Sequence, residues 1–268
     1  MNLIEVFEDT RNKSYNVFGQ HTRRLLNRDT EVYMGNLSLN KVSSKHPKIE
    51  MIQGGTVSTA YVIAKTNTVA ILNFADALEP GGMVTCGSSA QEENICRCKN
   101  LYESLTSDKA RVGYYRVNQN SERDGRYTDN IVYSKNVAVF KDDKTYEDVD
   151  LGFVDVITCP SPSANLEDDE ALEIYLKRIE QIVLSAVYGG VDVVVLGAWG
   201  CGCFGQNPYL VARAFGEVLN KYAGYFQRVV FAIRPMPTLS GKTIADGMFG
   251  VFKQVLTDVY DGEVIDNG

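Results

Sequence analysis

Two stretches of this sequence hold residues whose types and spacing can do chemistry. The first, WGCGCFGQNP, runs from Trp199 to Pro208 and sets Gly200, Gly202 and Gly205 at the G-x-G-x-x-G spacing of dinucleotide-binding turns. VDVVVLGA before it has the pattern of a buried strand. PYLVARAFGEVL after it reads as an amphipathic helix with Asn207 as cap and Pro208 at the first position. Strand, glycine turn and helix start, in that order, aim backbone amides at an anion, and small residues let a diphosphate approach the main chain closely. The second stretch, NFADALEPGGMVTCGSSAQEENICRCKNLYESL, starts at Asn73 and joins a glycine-bearing turn to a helix. Ser89 and Glu92 stand at capping-box spacing, and Ile95, Cys98, Tyr102 and Leu105 form an apolar stripe from which Glu93 points away. A carboxyl in a first helical turn, off the core and beside a glycine loop, would look into a cleft as a general acid or base. Glu92 and Glu93 are neighbours on one helix, which does not suit two carboxylates flanking a glycosidic bond from opposite faces; one acid assisted by its substrate fits better.

The glycine turn by itself leaves three readings open: a phosphate-binding loop, an NADP-dependent Rossmann oxidoreductase, or a tight turn with Trp199 and Phe204 in the core. A Rossmann turn follows the first strand and starts its helix within the fingerprint. Here the turn follows a late strand, the helix starts only at Asn207-Pro208, and the next strand ends in Ile233-Arg234, where Arg234 could meet a 2′-phosphate. The six cysteines include the pairs Cys96/Cys98 and Cys201/Cys203, which could offer thiolates to zinc. Structural zinc sites use wider spacing, so free thiols and no metal are expected.

The elements that must position these residues alternate between strand and helix type from Lys48 onward, the pattern of an α/β sheet covered on both faces. KIEMIQ, TVAILNF, FVDVITCP, VDVVVLGA and RVVFAI are the strands expected, and NIVYSKNVAVF adds an edge strand or hairpin with a break at residues 134–136. Leu172, Tyr175, Leu176, Ile179, Ile182, Val183 and Ala186 predict a helix whose start carries Glu167, Asp168, Asp169 and Glu170. Met248, Val251, Phe252 and Val255 predict a last helix over 244–256. Residues 1–47 read as an N-terminal helical extension, 48–268 as a single globular unit, and 106–130 as a long polar functional loop. A chain of 268 residues can bury about 70 to 75% of its unfolded surface in one core. The start, MNLIEVFEDTR, lacks the pattern of a signal peptide and no apolar run is long enough for a bilayer, so a cytoplasmic protein without membrane contact is expected. The net charge of −7 argues against DNA held by counterion release, and leaves small or chain-end anions bound by amides.

Gly81-Gly82-Met83 followed by Gln91-Glu92-Glu93 resembles the signature of poly(ADP-ribose) glycohydrolases, and their compact bacterial-type branch is the nearest match. NFADALEPGG, NIVYSKNVAVFKDD, VDVITCPSPSAN and VLGAWGCGCFGQNP follow in that branch's order, so the likeness runs across most of residues 48–235; VFEDTRNKS looks like its leading helix. The resemblance implies a macrodomain-like, three-layer α/β/α fold with a mixed sheet. It implies a glycosidase that cuts the ribose-ribose bond at chain ends and releases ADP-ribose, acting as a monomer on poly(ADP-ribose) or ADP-ribose, without cofactor or metal. By likeness Glu93 is the catalytic acid and Glu92 a catalytic residue beside it, with Glu92 and Gln91 positioning the ribose and Gly81 and Gly82 bordering it. Ala198, Trp199, Gly200, Cys201, Gly202 and Cys203 run along the pyrophosphate, Phe204 packs on the terminal ribose, and Gly205 belongs to the same substrate-binding turn. Two positions depart from the pattern: Met83 stands for a third glycine, and Asp76 for an Asn or Ser near the distal ribose. They keep two alternatives open, an ADP-ribose-binding module without catalysis and a hydrolase of another ADP-ribosyl linkage.

Overall fold

A computed structural model describes residues 1–19, 28–121, 124–234 and 244–267. Its centre is a mixed sheet of β1 (Thr30–Tyr33), β2 (Ile49–Ile52), β3 (Val69–Phe74), β4 (Ile131–Lys141), β5 (Asp148–Cys159), β6 (Val193–Leu196), β7 (Arg228–Ala232) and β8 (Val264–Asp266). Among the described residues the strand order is β1-β4-β5-β3-β6-β7-β2-β8. β1, β4 and β5 pair antiparallel, and every pairing from β5 to β8 is parallel.

β3 shows how the sheet becomes the middle layer. Its residues alternate between faces, and both faces are buried. Val69 and Ile71 pack with α1 (Leu3–Phe18), α2 (Thr56–Ile63) and α3 (Gln91–Cys98) through Phe7, Ala60 and Ile95. Ala70 and Leu72 pack with α4 (Asp168–Gly189), α5 (Pro208–Tyr222) and α6 (Ile244–Val259) through Ile182, Phe215 and Phe252. The three-layer α/β/α arrangement with a mixed sheet is therefore the observed fold. The order differs from that of a Rossmann sheet, and the glycine turn follows β6 rather than the first strand, which removes the oxidoreductase reading.

Several local expectations change. Residues 1–47 are not a helical extension: α1 is followed by β1, which pairs with β4 as the sheet's edge. β4 is consequently interior, and its expected break is a register shift between Ser134 and Val137, with Asn136 at φ 52°. The stretch expected as a long polar functional loop over 106–130 contains short helical turns at Asp108–Ala110 and Arg116–Asn120 that flank a π-helical turn at Arg111–Tyr115, which buries Tyr114 and Tyr115. No described helix is long and apolar enough to cross a membrane.

α1 belongs to the same core as the sheet. Asn2 caps it by accepting from the Ile4 amide, and Phe7 is fully buried edge-on to Tyr102, with ring centroids 5.1 Å apart. Phe7→Ala is therefore expected to cost about 3 to 5 kcal/mol in urea denaturation. A cost under about 1 kcal/mol would make α1 an appendage.

Candidate active site

β3 and β6 are parallel neighbours, with Ile71 opposite Val195, so the chain leaves both strands at the same edge of the sheet. Segments more than a hundred positions apart thus emerge side by side, about 5 Å between strand axes. One is the turn from Asn73 to the start of α3; the other is the glycine turn between β6 and α5. Both are fastened to the end of β5. The Cys159 carbonyl accepts from the Ala75 amide at 3.3 Å and from Trp199 Nε1 at 3.1 Å.

α3 begins at Gln91 with Ala90 as its cap, and no side chain caps it. The expected Ser89–Glu92 box does not form, because Glu92 is drawn to partners outside the helix. Its Oε1 accepts from Asn73 Nδ2 at 3.0 Å and its Oε2 from the Asp76 amide at 2.7 Å. Burial outweighs those two hydrogen bonds and pushes the Glu92 carboxyl up to about 8, with the charges of Asp76 and Glu93 adding to the rise. Every residue of α3 from Glu92 to Cys98 is buried, so this helix is interior and not amphipathic.

Glu93 is 6% exposed, and its two oxygens differ. Oε1 accepts from the Met83 amide at 3.0 Å, whereas Oε2 is buried without a partner among the described residues. The glycine-bearing turn closes on this group. A Cβ on Gly82 would lie 2.6 Å from Glu93 Oε1, and Gly82 has φ 56°, so glycine is needed there for both contact and conformation. Gly81, at φ 73°, lies where a Cβ would press on the Tyr102 ring at 2.8 Å. Met83 itself has φ −98° and a half-exposed side chain. A third glycine is therefore not demanded by the backbone.

Other expected ligand residues turn out to hold the site's frame. Gln91 Oε1 accepts from the Phe74 amide and its Nε2 donates to the Leu72 carbonyl, both at 2.8 Å, so its amide fixes the end of β3. Asp76 Oδ1 accepts from the amides of Leu78 and Glu79 and shapes the turn. Trp199 is fully buried, and Cys201 is nearly so; burial pushes the Cys201 thiol up to about 12. At those two positions only the backbone is available to a ligand. Ala198 and Phe204 are partly exposed, and Gly202, Cys203 and Gly205 exposed. Gly200, at φ 76°, packs against Ser161 with no room for a Cβ, while Gly202 has open space around it. No described residue accepts from the amides of Gly202, Cys203 or Phe204. Asn207 and Pro208 start α5 as expected, Asn207 Oδ1 accepting from the Tyr209 amide. The turn thus offers amides without a partner among the described residues, just before a helix start.

Asn73 and Arg178 were not singled out from the sequence. Asn73 is fully buried between Glu92 and Thr158; a polar residue closing an apolar strand was its only signal. Arg178 sits inside α4's apolar face and donates to the carbonyls of Pro160 and Arg126 and to Asp129. Arg234 pairs with buried Asp143 at 2.8 Å and also donates to its carbonyl. Among the described residues no three His, Cys, Asp or Glu side chains converge as a metal site.

This arrangement has known counterparts. The family described as microbial-type PARG, catalytic domain, matches residues 7–142. Poly(ADP-ribose) glycohydrolase from Deinococcus radiodurans, solved in complex with ADP-ribose, is 29% identical with a TM-score of 0.76, over 88% of this chain and 97% of that one. The glycohydrolase from Thermomonospora curvata is 25% identical with a TM-score of 0.79, over 94% of this chain and 98% of that one. The same protein bound to the inhibitor ADP-HPD gives 25% and 0.77 over the same shares. No curated protein matches the chain.

Two outcomes follow from the geometry. Gly82→Ala is expected to cost about 1 to 2 kcal/mol and to lower turnover at least about tenfold, while Gly202→Ala changes stability by less than about 0.5 kcal/mol; denaturation and activity assays compare them. Glu92 is raised in the folded state, so between about 4.5 and 8 the native protein holds a proton that the unfolded chain has lost. Its contribution is full below pH 4.5 and falls by about 1.4 kcal/mol per pH unit as pH rises toward 8. Glu92→Gln is expected to remove that slope from the stability–pH curve, and an unchanged slope would exclude Glu92 as its source.

Proposed function

The chain belongs to the microbial-type poly(ADP-ribose) glycohydrolase catalytic-domain family, and on that footing we propose that Glu93 is the group that breaks the glycosidic bond. The enzyme is a poly(ADP-ribose) glycohydrolase with a macrodomain-like fold. The observation that supports the assignment within the pair of glutamates is the state of their oxygens. Both oxygens of Glu92 are held by protein donors, whereas Glu93 Oε2 has none among the described residues. A buried carboxyl oxygen without a partner is one that can carry a proton to a bound substrate.

In this reading the diphosphate of the terminal unit lies on the amides of Gly202, Cys203 and Phe204, and its ribose sits under the Gly81-Gly82 turn. The bond from the anomeric carbon to the leaving ribose oxygen breaks with its electron pair going to that oxygen. The oxygen takes the proton from Glu93 Oε2 as an oxocarbenium ion develops. Water then adds to the anomeric carbon and returns a proton to Glu93, releasing ADP-ribose. Glu92, Asn73 and the Asp76 amide hold the helix start and strand end so that Glu93 meets the bond. Met83, with ordinary backbone angles and its side chain outward, leaves this machinery intact, which favours catalysis over a module that only binds. A surface of net charge −7 restricts binding to a chain end, so ADP-ribose is the product expected.

Glu93→Gln is expected to slow ADP-ribose release from labelled polymer by about a thousandfold while leaving ADP-ribose affinity largely intact, with calorimetry as the binding measurement. Equal release by the two proteins would remove Glu93 from the mechanism.

A further inference from the structure

Consecutive residues of the glycine-bearing turn rest on consecutive supports. Gly82 lies against Glu93, and the Met83 amide donates to Glu93 Oε1. Gly81, one residue earlier, lies on the ring of Tyr102 and the thiol of Cys96. A Cβ at Gly81 would meet Tyr102 Cδ2 at 2.8 Å, Tyr102 Cε2 at 3.3 Å and Cys96 Sγ at 3.4 Å. The contact is thus made by ring carbons, not by the phenol oxygen. Tyr102 belongs to the short helix Leu101–Leu105 that follows α3, and it takes no part in the chemical steps at the glycosidic bond.

The turn is bonded within itself, so a displacement at Gly81 is carried along it. The Gly82 amide donates to the Glu79 carbonyl at 3.0 Å, Val84 to Gly81 at 3.3 Å and Cys86 to Met83 at 3.0 Å. The support beneath is braced in its turn by α1. Phe7 meets Tyr102 edge-on, and the Arg11 guanidinium lies 5.8 Å from the centroid of each ring. Val84, in the turn itself, is buried in the same core as Phe7. The Tyr102 ring is therefore held between α1 and Gly81 in a close-packed stack. A shorter side chain at position 102 lets the Gly81 end of the turn sink, whereas a Cβ at position 81 lifts it. Either change moves the Met83 amide relative to Glu93. A misplacement of about 1 Å at a reacting group can cost about a hundredfold in rate, so shifts of a few tenths are readable in turnover.

We infer that Tyr102 is a positioning residue for Glu93: its ring, braced by α1, sets the height of the Gly81-Gly82 turn and thereby the Met83–Glu93 hydrogen bond. The inference rests on the catalytic role given to Glu93 above. Its test measures ADP-ribose release from labelled polymer and ADP-ribose affinity by calorimetry, under conditions where urea denaturation shows each variant to be folded. Tyr102→Leu is expected to lower kcat about tenfold, with KM and ADP-ribose affinity within about threefold of the unaltered enzyme. Tyr102→Met, which keeps more of the buried volume, acts in the same direction, and Tyr102→Phe retains turnover within about twofold because the ring carbons remain. Gly81→Ala lowers kcat as well. Combined with Tyr102→Leu it is expected to leave at least about threefold more turnover than the product of the two single losses, since a lifted and a sunken turn offset each other. The conformational cost of alanine at φ 73° is common to both backgrounds and cancels in that comparison. Unchanged kcat in Tyr102→Leu and Tyr102→Met, a loss in Tyr102→Phe as large as in Tyr102→Leu, or losses that simply multiply would overturn the positioning role while Glu93→Gln stays slow. Full activity of Glu93→Gln would overturn the catalytic reading and the positioning role with it.

Discussion

Two adjacent carboxyl groups buried in the first turn of one helix set the constraint that the rest of the site answers. Removing a carboxylate from water without donors is costly, so each oxygen must find a partner, take up a proton or face a ligand. Glu92 is answered from two directions, by the side chain of Asn73 on β3 and by the Asp76 amide just beyond it. That explains a fully buried asparagine at the end of an otherwise apolar strand. Glu93 is answered by one amide, that of Met83, and the turn can bring it close only because Gly82 has no Cβ. Gly82 is thus explained by a carboxyl nearby, and Gly81 by the Tyr102 ring, before any ligand is considered.

The second half of the site is positioned by the sheet. Parallel pairing of β3 with β6 makes the two functional turns neighbours, but strands fix only where a turn starts. The shared Cys159 carbonyl adds a finer restraint, since Ala75 in one turn and Trp199 in the other are bonded to the same oxygen. Displacing either turn costs a buried hydrogen bond, about 1 to 3 kcal/mol if a partner is left unsatisfied. Arg178 steadies the same region from below by binding the carbonyl of Pro160, the next residue. A large indole in a glycine-rich turn therefore serves geometry: it anchors the turn so that the small residues around it can stay open.

What was legible in the sequence was local. Asn207 and Pro208 announce a helix start because cap and ring act within two residues, and α5 begins there. The alternation from residue 48 onward is legible because both faces of β3, β6 and β7 are apolar. Ser89 misled for the opposite reason: its spacing to Glu92 satisfies a local rule, while Glu92 is claimed by Asn73 and Asp76 from another element. Gln91 likewise reads as a ligand residue, yet it completes β3's hydrogen bonding. β1 escaped notice because only two of its four residues are apolar, whereas β6 of the same length is apolar throughout, and only pairing with β4 defines it. Helical phase set Glu93 apart from the apolar stripe and suggested an outward residue, yet the fold buries it, and the Oε2 without a partner among the described residues, which separates it from Glu92, belongs to the folded geometry alone.

The composition of the two turns limits what they can offer an anion. No lysine or arginine occurs from Asn73 to Glu93 or from Ala198 to Asn207, so neither functional turn supplies a cation of its own. Backbone amides and a helix start can bind a diphosphate without a cationic side chain, because each is a partial charge aimed at the ligand. The absence of lysine and arginine from both turns therefore leaves dipoles, not cationic side chains, as what these segments offer an anion, and this is compatible with a chain whose formal net charge is −7.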